Sequence, residues 1–200
     1  MPESLERRAF LVRAALVVGL GIAGAENVVS PGARATASTL EGGHKLGKIG
    51  SLYVPRLRAQ VWNMPVFDGA EDRHLNRGVG RIAGSVGPGE WGNFAIAGHR
   101  TTAVRPFYFI ERLRRNDAVI VRTSTAWFTY RLIAQQIVTP RDSWVLDPAP
   151  LPARSTTPGG ASRLLTIVTC TPRGTTQKRW IWWGRLSAVH PADAPPAAIN

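Results

Sequence analysis

The 200-residue chain has one cysteine, Cys170, which excludes an internal disulfide and any zinc site built on cysteines of this chain. Acidic residues are scarce, 13 against 25 lysines and arginines, and they form no cluster able to wrap a calcium ion. Long apolar runs are also missing. The uninterrupted stretch Ala14 to Ala25 falls short of the roughly 20 residues that a membrane-spanning helix needs. Long helical periods are few and no internal repeat appears, which argues against a helical bundle or solenoid.

Seven tryptophans, fifteen prolines and many short apolar runs point to a mainly β body. The length suits one domain with a real core. A net charge of +12 admits nucleic acid, anionic lipid headgroups or anionic wall polymers as surroundings, and charge alone does not choose among them.

Arg7 and Arg8 precede Ala9 to Ala25, an apolar segment broken only by Arg13. This has the outline of an export signal, and Ala23-Gly24-Ala25 offers small residues for cleavage. Alternatively, Arg13 snorkels to the cytoplasmic interface and the segment stays as a short membrane anchor with its C-terminal side outside. A buried amphipathic helix of a cytosolic protein is the competing reading. Residues 1–25 are thus a signal peptide or anchor, 26–46 a flexible Ala/Gly/Ser/Thr-rich tether, 47–190 the folded domain and 191–200 a disordered tail.

Within the domain, strands are expected from Lys48 to Pro55, over Ala59 to Gly69 with Pro65 marking an edge or bulge, and from Val79 to Ala83. Phe94 to Ala97, Asp117 to Arg122, Trp127 to Val138, Leu164 to Thr169 and Arg179 to Val189 follow, with short helices at Glu71 to Arg77 and Pro106 to Leu113. In the last strand, alternation groups Trp180 with Trp182 and sets Trp183 opposite. The loop from Thr139 to Ser162 is long for a compact domain and reads as functional, walling a groove and ordering on binding.

Cys170 ends the β-branched run from Leu164 to Thr169, just before a turn at Pro172 and Gly174. His99 likewise sits where the strand Phe94 to Ala97 opens into a loop. A thiol attacks carbonyl carbon only as the thiolate, so it needs nearby positive charge or a base. Imidazole can protonate a leaving amine and later deprotonate the incoming nucleophile, and Arg179 can hold an oxyanion. Arg173 is the alternative cation. Arg100 reads as a structural ion-pair residue, Thr101 and Thr102 as loop ties, and His44, His74 and His190 as surface residues.

The segments GEWGNFAIAGHRTT and Thr169-Cys170-Thr171-Pro172, with Arg179 beyond, resemble the sortase family of cysteine transpeptidases, particularly its class E members. The likeness runs from about Lys48 to Val189 and includes the Val54-Pro55 strand, the EDRHLNRGVG segment and SWVLDP. It implies an eight-stranded, closed or nearly closed barrel with short helices and a groove lined by His99, Cys170 and Arg179. It also implies cleavage of an LPXTG- or LAXTG-type sorting motif between Thr and Gly through a thioester on Cys170, then transfer to an amine of a cell-wall precursor or a pilin. Thr101, Thr102, Ala103, Thr169 and Thr171 would contact substrate. No metal or organic cofactor is implied, and the location would be the outer face of the membrane, reached through the N-terminus.

Two positions depart from the family pattern. Ala103 stands where many class E members carry a tyrosine associated with choosing Ala in the motif, and Thr171 follows the cysteine where relatives often carry His. Competing classes are a basic nucleic-acid-binding barrel, whose partner an export segment removes, and an inactive sortase-like binder. An L,D-transpeptidase is disfavoured because its cysteine lies close in sequence to its histidine.

Overall fold

The computed structural model describes residues 46–150 and 162–199, where eight strands close into a barrel. In chain order they are β1 (Lys48–Tyr53), β2 (Met64–Asp68), β3 (Val79–Arg81), β4 (Gly92–Ala97), β5 (Ala118–Arg122), β6 (Ala126–Val138), β7 (Arg163–Thr171) and β8 (Lys178–Pro191). Around the barrel the order is β1-β2-β3-β4-β7-β8-β6-β5, with β1 returning to β5. Helical structure among the described residues is confined to α1 (Asp72–Leu75) and four short 3-10 turns. The mainly β barrel expected from the sequence is the fold observed.

Alternation along each strand builds two cores. Leu165 and Ile167 point inward with Phe94, Ile96, Leu132 and Trp182. Leu164 and Val168 point outward with Ala95, Ala97, Ile181 and Trp183. The strands around the site are therefore apolar on both faces and read as continuous runs. Their outer face is covered by Leu75 of α1 and by the turn Ser143–Leu146, whose Val145 and Leu146 are buried. Asn93 Nδ2 donates to Asp147 O at 3.0 Å and Trp183 Nε1 to Val145 O at 3.1 Å, so the cover is tied down by polar contacts as well. The tryptophans divide as alternation requires: Trp182 lies in the inner core with Trp180 packed against it, and Trp183 lies outside, stacked on Trp144. Truncating Trp182 to Ala would cost about 3–5 kcal/mol.

Several expectations are corrected. Pro65 lies inside β2 of a closed barrel and so marks no edge, while the β1–β2 pairing does carry an irregularity just beyond it, between Lys48 and Gly50. The proline pairs with Ser51 one residue before β2 begins its parallel pairing with β3 at Val66, so its missing N–H interrupts no bond to β3. The segment Pro106 to Leu113 is not an α-helix, and only Ile110–Arg112 forms a 3-10 turn. Phe107, Ile110 and Leu113, spaced by three, all enter the inner core, and that spacing suits three residues per turn. His74 is buried in α1, with its ring 5.8 Å from that of Phe67 and its Nδ1 2.5 Å from Glu71 Oε2. His190 belongs to β8, opposite Trp127. Residues 191–199 pack rather than trail: Trp127 Nε1 donates to Ala192 O at 3.0 Å, and Ile199 lies against the Tyr53, Ile120 and Trp127 cluster.

The first part of the long loop is structural cover on the outer face. Residues 151–161 lie outside the described residues, as do residues 1–45 with the export segment, most of the tether and His44. Among the described residues no helix is long and apolar enough to cross a membrane.

Candidate active site

Two strand pairings bring the sequence-predicted residues together. β4 and β7 run parallel, in register up to Ala97 opposite Val168. The pairing continues for one more residue, because Gly98 N donates to Val168 O at 3.2 Å and Thr169 Oγ1 donates to Gly98 O at 2.7 Å. His99 therefore comes level with Cys170. On the other side, β7 and β8 are antiparallel, with Cys170 directly opposite Arg179.

The period of two sets the direction of each side chain. Ala97, Val168 and Ile181 face the outer core, and His99, Cys170 and Arg179 have the same parity two positions beyond them. Cys170 and Arg179 thus share the outer face of β7 and β8, and His99, two residues past the end of β4, comes level with the thiol on the same parity. Thr169 and Thr171 have the opposite parity. Both are buried; Thr169 is bonded to Gly98, and Thr171 Oγ1 accepts from Arg100 Nη1 at 2.7 Å. Their hydroxyls hold neighbouring strands together on the face away from the nucleophile.

Cys170 is a free, half-buried thiol. Burial pushes the pKa of His99 below the usual imidazole value, and the negative charge of Asp72 in α1 opposes that shift. Arg179 is 2% exposed, and burial lowers its pKa while the charge of Cys170 opposes the shift, so the sulfur and the guanidinium lie within electrostatic reach of each other. Its Nη1 donates to Thr176 O at 2.8 Å and to Lys178 O at 3.1 Å, which fixes the planar fork.

Arg173, the alternative cation, is engaged elsewhere. It ion-pairs with Glu111, donates through Nε to Tyr108 O at 3.3 Å and lies 4.4 Å from the Tyr108 ring. Thr101, Thr102 and Ala103 lie in the loop after His99, half-exposed to exposed. Phe107 N to His99 O and Arg105 N to Thr102 O close that loop, and Ala103 takes a left-handed φ of 51°. At its root, a Cβ on Gly98 would meet Phe107 Cε2 at 2.7 Å, so only glycine lets the loop pack against Phe107. Among the described residues no three His, Cys, Asp or Glu side chains converge as a metal site.

Sequence reasoning missed two features of the site, the charge of Asp72 acting on His99 and Thr171 as the acceptor for Arg100. The second was open to inference: Arg100 and Thr171 each follow a site residue by one position, so alternation turns both to the same opposite face. Chemically, the outer-face trio offers a nucleophile, a proton carrier and a fixed cation for developing negative charge.

The model of the sortase domain matches residues 52–187. Sortase SrtE1 of Streptomyces coelicolor is 34% identical over 159 residues, covering 74% of this chain and 44% of that protein. Sortase SrtE2 of the same organism is 28% identical over 165 residues, covering 76% of this chain and 62% of that protein. The chain therefore spans less than two thirds of the length of either relative. Among solved structures, sortase E from Streptomyces avermitilis is similar with a TM-score of 0.68 at 34% identity, covering 77% of this chain and 97% of that one. Sortase E1 from Streptomyces coelicolor, solved with a tripeptide in its active site, gives a TM-score of 0.70 at 30% identity over the same shares. With its barrel and with Cys170, His99 and Arg179 on one face of it, this chain belongs to the sortase family, in its class E branch.

Proposed function

We propose that this protein is a cysteine transpeptidase that sorts surface proteins. The observation that carries the reading is the register that sets Cys170 opposite Arg179 on β7 and β8 and brings His99, two residues past the end of β4, level with the thiol. Cys170 passes its proton to His99 and attacks the Thr carbonyl of an LPXTG- or LAXTG-type motif as the thiolate, and Arg179 holds the oxyanion that forms. His99 gives a proton to the departing Gly amine, leaving a thioester on Cys170. An amine of a cell-wall precursor or a pilin then enters, gives its proton to His99 and displaces the thiol. Cys170 is only half-buried and Thr102 and Ala103 in the neighbouring loop are exposed, which suits contact with a peptide. The tripeptide in the active site of the Streptomyces coelicolor sortase E1 supports a peptide as ligand. The site of action is the outer face of the cell membrane, reached by way of the apolar N-terminal segment.

The test is intact mass of the chain from Gly47 onward after incubation with LAXTG and LPXTG peptides, with and without triglycine. A thioester adduct or a triglycine-linked product, absent from Cys170→Ala and His99→Ala, is the expected result. A folded protein that binds either peptide and forms no adduct is instead an inactive sortase-like binder.

A further inference from the structure

Backbone pairing between β4 and β7 ends at Gly98, one residue short of His99. Beyond it, the next tie between the two strands is a side chain. Arg100 leaves the inner face, 6% exposed, and its Nη1 donates to Thr171 Oγ1 at 2.7 Å and lies 3.5 Å from Cys170 O. Its Nη2 donates to Glu111 Oε2 at 3.1 Å, and its guanidinium carbon lies 5.2 Å from the centre of the Trp180 ring on β8. Glu111 in turn pairs with Arg173 in the β7–β8 turn. One guanidinium thus touches the residue after the nucleophile, the carbonyl of the nucleophile itself and the strand that carries Arg179, while its own backbone follows His99.

We infer that Arg100 is a positioning residue: from behind the catalytic face it acts as a side-chain rung between β4 and β7, fixing His99 against Cys170. The inference rests on the transpeptidase reading for its rate effect, and on geometry alone for its effect on the thiol. A guanidinium is suited to the task because its planar fork reaches a hydroxyl and a carboxylate at once, and a buried charge-assisted bond is stiff. Arg100 touches no substrate, since it lies on the opposite face. Its loss leaves peptide binding intact and lets the imidazole drift, and small misplacements of a reacting group cost up to about a hundredfold in rate.

The experiment uses the full-length chain and four variants: Arg100→Gln, Thr171→Val, Thr171→Ser and His99→Ala. The rate of Cys170 alkylation by iodoacetamide is followed from pH 5 to pH 9, with circular dichroism to confirm folding. The expected result is that Arg100→Gln and Thr171→Val move the wild-type profile to that of His99→Ala, while Thr171→Ser, which keeps the hydroxyl, retains the wild-type profile. With sorting-motif peptide, kcat falls about tenfold or more in the first two variants while KM stays within about twofold. Wild-type profiles in folded Arg100→Gln and Thr171→Val overturn the inference, as does a wild-type profile that already matches His99→Ala. If Arg100→Gln fails to fold, Thr171→Val removes the same bond by one hydroxyl and decides alone. If the wild-type protein makes no product with any peptide, the transpeptidase reading fails while the alkylation profiles still judge Arg100.

Discussion

Cys170 and Arg179 face each other as register partners across β7 and β8, the guanidinium almost wholly buried and held by the carbonyls of Thr176 and Lys178. Such a cation needs no reorganisation when negative charge develops beside it. Arg179→Ala is expected to lower kcat by about 10²–10³-fold, the usual cost of one oxyanion donor. Arg179→Lys should recover only part of this, since it keeps the charge and loses the fork. Steady-state kinetics with a sorting-motif peptide measures both, and wild-type kcat in Arg179→Ala would remove the residue from the chemistry.

The protonation of His99 is set by two opposed effects, burial that lowers its pKa and Asp72 that raises it. Asp72→Asn leaves only the lowering influence. NMR titration of the His99 ring should then show its pKa moving further down, and the acidic limb of the activity profile should move with it.

The same shift links His99 to stability. Its pKa is lower in the folded state than the unfolded value near 6.5, so the unfolded chain binds the proton first as pH falls. The stabilising contribution is complete above that value and is lost as pH drops through the folded pKa. Thermal melts from pH 8 to pH 5 should show the wild-type protein losing more stability than His99→Gln, and parallel curves would contradict the linkage.

Gly98 roots the His99 loop against Phe107, and a methyl group there would meet the ring at 2.7 Å. Gly98→Ala should cost about 1–3 kcal/mol through overpacking and reduce activity by more than the melting temperature shift accounts for. Activity measured well below the melting temperature separates the two effects.

Ala103 occupies the exposed loop position where many class E relatives carry tyrosine. Ala103→Tyr is expected to raise the rate with LAXTG relative to LPXTG peptide. Competition between the two peptides, read by mass, gives the ratio directly.

How much of this was legible before the fold was known depends on the interaction involved. Strand order along the chain, the parity of Trp180, Trp182 and Trp183, and the strand-end positions of His99 and Cys170 follow from alternation and turn residues, which are local. The burial of His74 and the packing of Ile199 are not local. His74 sits in a four-residue helix of polar appearance and turns inward because α1 covers the barrel's outer face. Ile199 follows a proline-rich stretch and is held by Tyr53 and Trp127 from distant strands. Thr169 and Thr171 show the intermediate case. Their place beside Cys170 in sequence suggested a substrate role, and strict alternation turns their hydroxyls to the opposite face, where they bond Gly98 and Arg100.

The division of the sheet into an inner apolar face and an outer reactive one also bears on how the protein can be altered. Residues 101–105 and 174–177 hang from strand ends whose positions are fixed by Phe94, Ile167 and Trp182 inside the barrel, none of which shares a face with the thiol. New peptide preferences can therefore be sought by randomising those loops without disturbing the residues that decide whether the chain folds.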